Sequence, residues 1–556
     1  MKLSTTYLAL ILSLLSSTTA VAQGTGTPWE GLTLFQPIQS TTTYLIDNSG
    51  AVVHTWTGSY SPGNSVYLLE DQTLLRATRA SNGPGGQTPA GIQLVAWDST
   101  LIWDYHDSNP NRVRHHDVEI LPNGNILTIA WQHKTIAEAV QAGRNPATVN
   151  GTVFSPDSIL EIQPNGPNGG TIVWQWHVLD HVVQDFDPTK DNFGVIGDHP
   201  ELIDINFPPG VVQNGDWNHL NGLDYNADLD QIIVSAHHQD EIWIIDHSTT
   251  TAEAAGHTGG NSGRGGDFLY RWGNPQAYDA GGPADKKLFG QHNPQWIPEG
   301  YPGAGNLLVF NNGNGRPAGD FSTVDELTPP VNAQGQYAHT PGSAYGPNSL
   351  AWTYQASVPT SFFSSIISGA QRLPNGNTLV CSGIDGWFFE VTSVGDIIWE
   401  YDNPFPSPGN NRTFRAERYS FCSTPEGYCV TSPNSAGAGA LMGWSGSPSF
   451  ATNNLVLSVT NTPSTTPGLF YFGDQQVQLP FGDGVRCVGG NIFRLPVVFT
   501  SAGGQASYAI DLTDPQETTS VIQIGESWEF QFWFRDVPFG GAGFNVSDAL
   551  EVTFCD

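Results

Sequence analysis

The segment Asp117-Val-Glu-Ile-Leu-Pro-Asn-Gly-Asn-Ile-Leu-Thr-Ile returns as Gly369-Ala-Gln-Arg-Leu-Pro-Asn-Gly-Asn-Thr-Leu-Val-Cys: a strand, a Pro-Asn-Gly-Asn turn and a second strand. Asn-Gly between two short apolar runs is the strongest local signal for a β-hairpin. A hairpin written twice, so far apart, constrains the chain to an array of similar β-units. Looser copies start at Ser65, Gly222 and Asn293, the last joined to the strand from Asn306, so five inner hairpins are expected.

Most of these hairpins are followed by a second, aromatic-rich strand pair. The pairs are Gln93 to Trp97 with Leu101 to Tyr105, Ser158 to Ile162 with Ile172 to Trp176, Glu241 to Ile245 with Phe268 to Trp272, and Trp387 to Val391 with Ile397 to Tyr401. Four antiparallel strands per unit is the blade of a β-propeller. Thr43 to Trp56 supplies only the outer half of a blade, and Phe414 to Cys422 an inner strand. Pairing the two ends would close a sixth blade and remove the exposed sheet edges. The expected fold is therefore all-β: a six-bladed β-propeller closed by N- and C-terminal strands, followed by a smaller β-sandwich-like domain. Insertions at Thr135 to Val153 (with a short helix), Asp180 to Asn214, Thr249 to Gly266 and Arg316 to Ser349 read as loops on that scaffold. Thr431-Ser-Pro-Asn-Ser-Ala-Gly reads as a linker. The expected boundaries are 1–22 for a signal peptide, 23–430 for the propeller and 431–556 for the C-terminal domain.

Charge excludes some partners. With 20 Lys plus Arg against 52 Asp plus Glu, the net charge of −32 disfavours nucleic acid and anionic membrane surfaces. Lys2, the apolar run Tyr7 to Leu15 and Ala20-Val-Ala22 form a secretory signal, with cleavage expected before Gln23. That run is too short to span a bilayer, so a secreted or periplasmic protein without membrane insertion is expected. Five cysteines suit this compartment: Cys422 and Cys429 bracket a short turn and Cys487 and Cys555 lie in the tail. Two disulfides with a lone Cys381, or buried thiols, both fit. Nothing in the sequence signals an oligomeric state.

Blade geometry sorts the histidines. The start of an inner strand and the end of the next strand share one face of an antiparallel hairpin. His115, His116, His219 and His292 occupy such starts; His133, His237 and His238 occupy such ends, with Arg316 just past Asn311-Asn-Gly-Asn-Gly. Residues distant in sequence should meet at one mouth of the central channel. Imidazoles and a guanidinium make a donor-rich cup suited to a tetrahedral oxyanion such as a sulfate or phosphate ester. No metal is expected: no His-x-His or His-Glu-x-x-His spacing falls on a regular element, and Arg316 would repel a cation. Asp224 to Ser235 begins like an EF-hand loop but has Leu229 at the sixth position and Ser235 at the twelfth, so a surface turn is the better reading.

At these residues the chain resembles the bacterial arylsulfotransferase (aryl-sulfate sulfotransferase) family. The matching pieces are His115-His116-Asp117 with Leu121-Pro-Asn-Gly-Asn; Trp217-Asn-His219-Leu-Asn221 with Ile232 to His238; Gln291-His292-Asn293 with Leu308 to Arg316; and Gly369 to Asn377, within a resemblance running from about Gly31 to Cys422. The resemblance implies a propeller that moves a sulfuryl group from an aryl sulfate to a phenol without a nucleotide donor or any cofactor, through a sulfated histidine. It implies His219, His292 and Arg316 as catalytic residues. His115, His116, His238 and Asn221 are the expected substrate contacts. In the family the nucleophilic histidine lies in a later blade than the arginine; here His339 alone follows Arg316, so it is the candidate nucleophile, while Phe362 to Ser368 has none. A non-catalytic propeller that binds sulfated or aromatic ligands, or mediates adhesion, is the rival reading. A quinone-dependent propeller dehydrogenase ranks third, because no repeated tryptophan-docking pattern is legible.

Overall fold

The two Pro-Asn-Gly-Asn turns are superimposable in their bonding. Gly124 N–H donates to Leu121 O and Gly376 N–H to Leu373 O, both at 2.8–2.9 Å, with glycine φ of +81° and +86°. A side chain at this position would be strained, which is why glycine stands there. The computed structural model describes residues 26–555 apart from 70, 80–88, 108, 421, 423–424, 451–452, 513–521 and 523–525. The expected signal peptide lies outside the described residues. No helix among them is long and apolar enough to cross a membrane.

The chain is all-β, and residues up to Arg418 form one compact unit. Its long strands fall into runs of four. The inner strands of successive runs are Ser61–Leu68, Arg112–Ile120, Leu220–Asn226, His292–Trp296 and Gly369–Arg372. A further run takes its inner strand, Thr413–Tyr419, from the end of the unit and pairs it with Leu32–Pro37, Thr42–Ile46 and Val52–Thr57. The runs starting at Ser61 and Arg112 are joined through a single parallel bridge, Asn64 to His116, into one eight-stranded sheet.

Two sets of hydrogen bonds tie each run to the next. On the inner strands, Asp117 accepts from Leu223 N–H (3.1 Å), Asp224 from Trp296 N–H (2.8 Å), Asn293 from Ala370 N–H (2.9 Å) and Gln371 from Arg418 N–H (2.7 Å). Arg415 then returns to Asp117 at 2.8 Å. On the outer strands, tryptophan N–H groups dock on carbonyls of the following run: Trp56 on Ala96, Trp103 on Gly169, Trp176 on Gly266, Trp272 on Pro347, Trp352 on Ser393 and, closing the circuit, Trp399 on Asn48. No repeated sequence pattern announces these bonds. The docked rings sit on outer strands of unequal spacing, so no period marks them.

Between runs lie apolar layers. One packs Leu127, Ile129, Ile159 and Trp176 against Leu223, Val234 and Trp243, all buried. Each such side chain contributes about 1.5–3 kcal/mol relative to exposure. The expected short helix is Ile136–Gln141, with a Thr135/Glu138 capping box. The Arg316 to Ser349 segment is not only loop: it contains the strand Thr323–Leu327, which pairs with Leu307–Asn311. Its outer partner Trp352–Tyr354 follows after a long excursion that hides the pattern.

Tyr419 onward forms a second compact unit. A five-stranded and a three-stranded sheet enclose a core including Leu457, Val459, Phe470, Phe472, Phe530 and Phe532. The disulfides are Cys422–Cys555 and Cys429–Cys487; Cys381 is free and buried. The boundary thus falls at 418/419, not at 430. Glu426–Tyr428 pairs with the final strand, and Cys422 is bonded to Cys555, so 419–430 belongs to the second unit by hydrogen bond and by covalent bond.

Candidate active site

The inner strands begin with a shared distortion. Register shifts interrupt pairing at Pro62/Val66, His115/Val118, Leu220/Gly222 and His292/Gln295. Asn64, His116, His219 and Asn293 have positive φ, from +51° to +115°. A bulge adds a residue to one strand and re-aims its side chains, and left-handed non-glycine residues at repeated positions mark a place where backbone strain is stored. The result is a file of imidazoles. Ring centroids separate His115 from His116 by 5.0 Å, His116 from His219 by 4.7 Å, His219 from His238 by 5.1 Å and from His237 by 5.5 Å, and His237 from His292 by 5.4 Å. Trp131 stacks on His115 at 3.9 Å, and Phe414 lies 5.9 Å from His116 and 6.3 Å from His292.

Hydrogen bonds assign the ring nitrogens. His238 Nδ1 faces the carbonyl of Trp217 at 3.2 Å. A carbonyl only accepts, so His238 carries its proton on Nδ1 and its lone pair on Nε2. His219 Nδ1 donates to Asp216 Oδ2 at 2.6 Å. In His292, Nδ1 donates to Asn312 Oδ1 (2.7 Å), because the Asn312 amide nitrogen is committed to the carbonyls of Ser364 and Ile367; Nε2 accepts from Ile367 N–H at 3.2 Å. Both His292 nitrogens are occupied. His115 bridges His116 Nδ1 and Asp157 Oδ1, each at 2.7 Å.

Proton affinities diverge along the file. Burial pushes His115, His116, His237 and His238 below the ordinary imidazole value, and the charge of His219 adds to the effect. His292 is pushed down to about 3 by burial, against the pull of Asn312. His219 alone in the file is raised: burial opposes its charge, but the hydrogen bond and charge of Asp216, with Asp157 behind, outweigh it. His219 therefore favours its charged form where its neighbours in the file favour the neutral one.

Three expected residues are engaged by other partners. Arg316 donates to Phe321 O (3.1 Å) and Thr323 Oγ1 (2.7 Å) and lies over the rings of Phe289 and Phe321; no imidazole is among its partners. The outer strand Thr323–Leu327, unread in the sequence, captures it. Asn221 is wholly buried and its amide donates to Gln291 O at 2.9 Å, so it ties two inner strands together. His339 stacks on Tyr345 at 4.0 Å and bonds Ser343 O, within its own loop.

Sequence reasoning missed Asp157, Asp216 and Asn312, which orient the imidazoles; only Asp216, three residues before His219, carried a local signal. Asp216, His219 and His238 also offer ligand atoms within 4.8 Å of one another, a cation-sized grouping whose occupation would compete with the His219–Asp216 bond. His181, His257 and Asp267 form a second such group, but His181 spends both nitrogens on Asp267 and Ala254 O.

The family described as Arylsulfotransferase (ASST) matches residues 19–407. No curated protein matches the chain. Solved structures resemble it distantly: the periplasmic gluconolactonase PpgL of Pseudomonas aeruginosa (11% identity, 70% of this chain and 99% of that one, TM-score 0.35) and virginiamycin B lyase of Staphylococcus aureus (12%, 69% and 85%, TM-score 0.31).

Proposed function

The chain belongs to the arylsulfotransferase family, and from that premise we propose that it is an exported, nucleotide-independent enzyme in which His238 takes the sulfuryl group and His219 supplies the proton. The runs of four strands are then the six blades of a propeller, a reading the closed circuit of tryptophan bonds supports, and the imidazoles stand at one mouth of its channel. Two disulfides and the N-terminal apolar run support export.

The observation that carries the assignment is the His238 tautomer, which the Trp217 carbonyl fixes with the lone pair on Nε2. His292 has no free nitrogen, Asp216 favours the charged form of His219, His115 is held at both ends and His116 spends Nδ1 on His115, while His237 has a buried Nδ1 without a partner and so no bond that fixes its tautomer. His238 is neutral with its lone pair fixed on Nε2 beside the His219 ring. Its lone pair attacks the sulfur of an aryl sulfate; the S–O bond to the aryl group breaks, and the leaving phenolate takes the Nε2 proton of His219. The sulfated imidazole then meets an acceptor phenol. Neutral His219 takes the phenol proton, the phenol oxygen bonds to sulfur, and the S–N bond breaks to restore His238. Proton transfer by a positioned group is worth about 10²–10⁴-fold.

The test is turnover of a chromogenic aryl sulfate with and without a phenol. Release of chromophore that depends on the phenol, with sulfated phenol as product, is expected. His238→Ala should abolish it, and a quenched reaction should carry one sulfuryl group on the peptide holding His238. Ligand-induced stabilisation without product would leave a binding protein instead. Full activity in His238→Ala would move the nucleophile elsewhere.

A further inference from the structure

We infer that the second unit carries its own binding site for aromatic anions, in a cleft between the outer face of its five-stranded sheet and the hairpin Gln475–Phe481/Gly484–Gly489. The strand Pro467–Gly473 alternates: Phe470 and Phe472 enter the core, so Leu469 and Tyr471 face outward. In Ser527–Arg535, Phe530, Phe532 and Phe534 enter the core and Trp533 faces outward. An outward sheet face bathed in water would be polar at these places; here it is aromatic, and the hairpin lies over it. The cleft encloses about 450 Å³, within the size range of small-molecule sites, and is lined by Tyr471, Trp533, Phe544, Phe481, Arg486 and Arg494 among others.

The cleft is preformed. Gln531 joins hairpin to sheet, accepting from Cys487 N–H and donating to Val485 O, each at 2.9 Å. Cys487 is disulfide-bonded to Cys429, and Tyr428 donates to Cys487 O at 3.0 Å. Phe544 is held edge-on to Phe481 at 5.1 Å and tilted to Trp533 at 5.8 Å. Rings fixed in this way offer faces and edges to another ring without losing side-chain freedom on binding.

Charge selects the ligand. After Tyr419 the chain has three cationic residues, Arg486, Arg494 and Arg535, and two of them line this one cleft. Arg494 stands opposite Tyr471 in register. Arg486 lies 5.9 Å over the Phe481 ring, and its Nε–H is buried with no hydrogen-bond partner. A buried donor without an acceptor costs roughly 1–3 kcal/mol, and an anionic oxygen entering the cleft would remove that cost. Rings for stacking in a cleft that two guanidiniums line match a planar aromatic group bearing sulfonate, sulfate or carboxylate.

The experiment is calorimetric titration of the full-length protein with naphthalene-2-sulfonate, which has no transferable sulfuryl group. 2-Naphthol and inorganic sulfate serve as the ring-only and anion-only probes. Wild type is expected to lose one equivalent of binding in Arg486→Gln/Arg494→Gln, with sulfuryl transfer unchanged, and each half-probe should bind at least tenfold more weakly than the sulfonate. The assignment is overturned if the double variant binds the sulfonate with unchanged stoichiometry and affinity, or if either half-probe matches it. Should the double variant fold poorly, the exposed Arg494→Gln alone and the half-probe comparison on wild type still decide. The cleft lies outside the family match, so absence of sulfuryl transfer would not touch this result.

Discussion

His219 and His238 differ by one partner each, and that difference sets their chemistry. A carboxylate beside His219 holds its proton, whereas a neutral carbonyl beside His238 fixes a tautomer without stabilising a charge. Their proton affinities are consequently pushed apart, as an acid and a nucleophile working at one pH require. The sign of the pH dependence follows. On the acid side activity falls only where His238 takes up a proton, below the ordinary imidazole value of about 6.5; on the alkaline side it falls where His219 loses one, above that value. A bell with a broad top is expected for kcat/KM. Asp216→Asn removes what holds the proton while burial remains, so the alkaline limb should shift down past neutrality, with activity kept at mildly acid pH. An unmoved limb in this variant would deny His219 the acid role. Asp216 is a positioning residue, and the pH profile separates that role from loss of fold.

Asp117 joins inner strands that stand far apart in the sequence. It accepts from the Tyr67 hydroxyl at 2.7 Å, from Leu223 N–H at 3.1 Å and from Arg415 at 2.8 Å, reaching three other inner strands. Both members of the Asp117–Arg415 pair are buried. Removing one leaves an uncompensated buried charge, so Asp117→Ala should cost about 3–5 kcal/mol, while Asp117→Leu with Arg415→Met should cost much less. Equal losses in the two variants, measured by chemical unfolding, would contradict the pair's role. This element also shows what a sequence conceals. The hairpins, their turns and the ends of strands that gather histidines were legible because Asn-Gly and apolar alternation are local signals. Asp117 was read as part of a motif, but its partner Arg415 lies almost 300 residues away and pairs only once the ring closes. Arg316 was placed by its position after a turn, yet its direction was set by Thr323 on a strand that the sequence showed as loop. Side-chain direction depends on such cross-strand neighbours, which no local pattern reports.

Across the whole molecule, covalent and non-covalent stabilisation are divided between the two units. All four bonded cysteines lie after Arg418, and the first unit holds only Cys381, which is buried and whose thiol burial pushes well up, away from reactivity. The sequence separations of 133 and 58 residues imply loop-closure contributions of roughly 4–5 kcal/mol each in the chain-entropy limit, and typically 2–4 in practice. The first unit instead closes its ring with hydrogen bonds and the apolar layers between runs, none of which a reductant touches. Calorimetry of the full-length protein in excess dithiothreitol should therefore show the second unit's transition moved to lower temperature and the first unit's unmoved. Below the lowered transition, sulfuryl transfer should be unaffected, while naphthalene-2-sulfonate binding to the cleft should weaken, since Cys487 anchors its hairpin. If reduction instead abolished transfer with the second unit still folded, the His238 site would depend on a disulfide that its own unit does not contain, and the division of labour between the two units would be wrong.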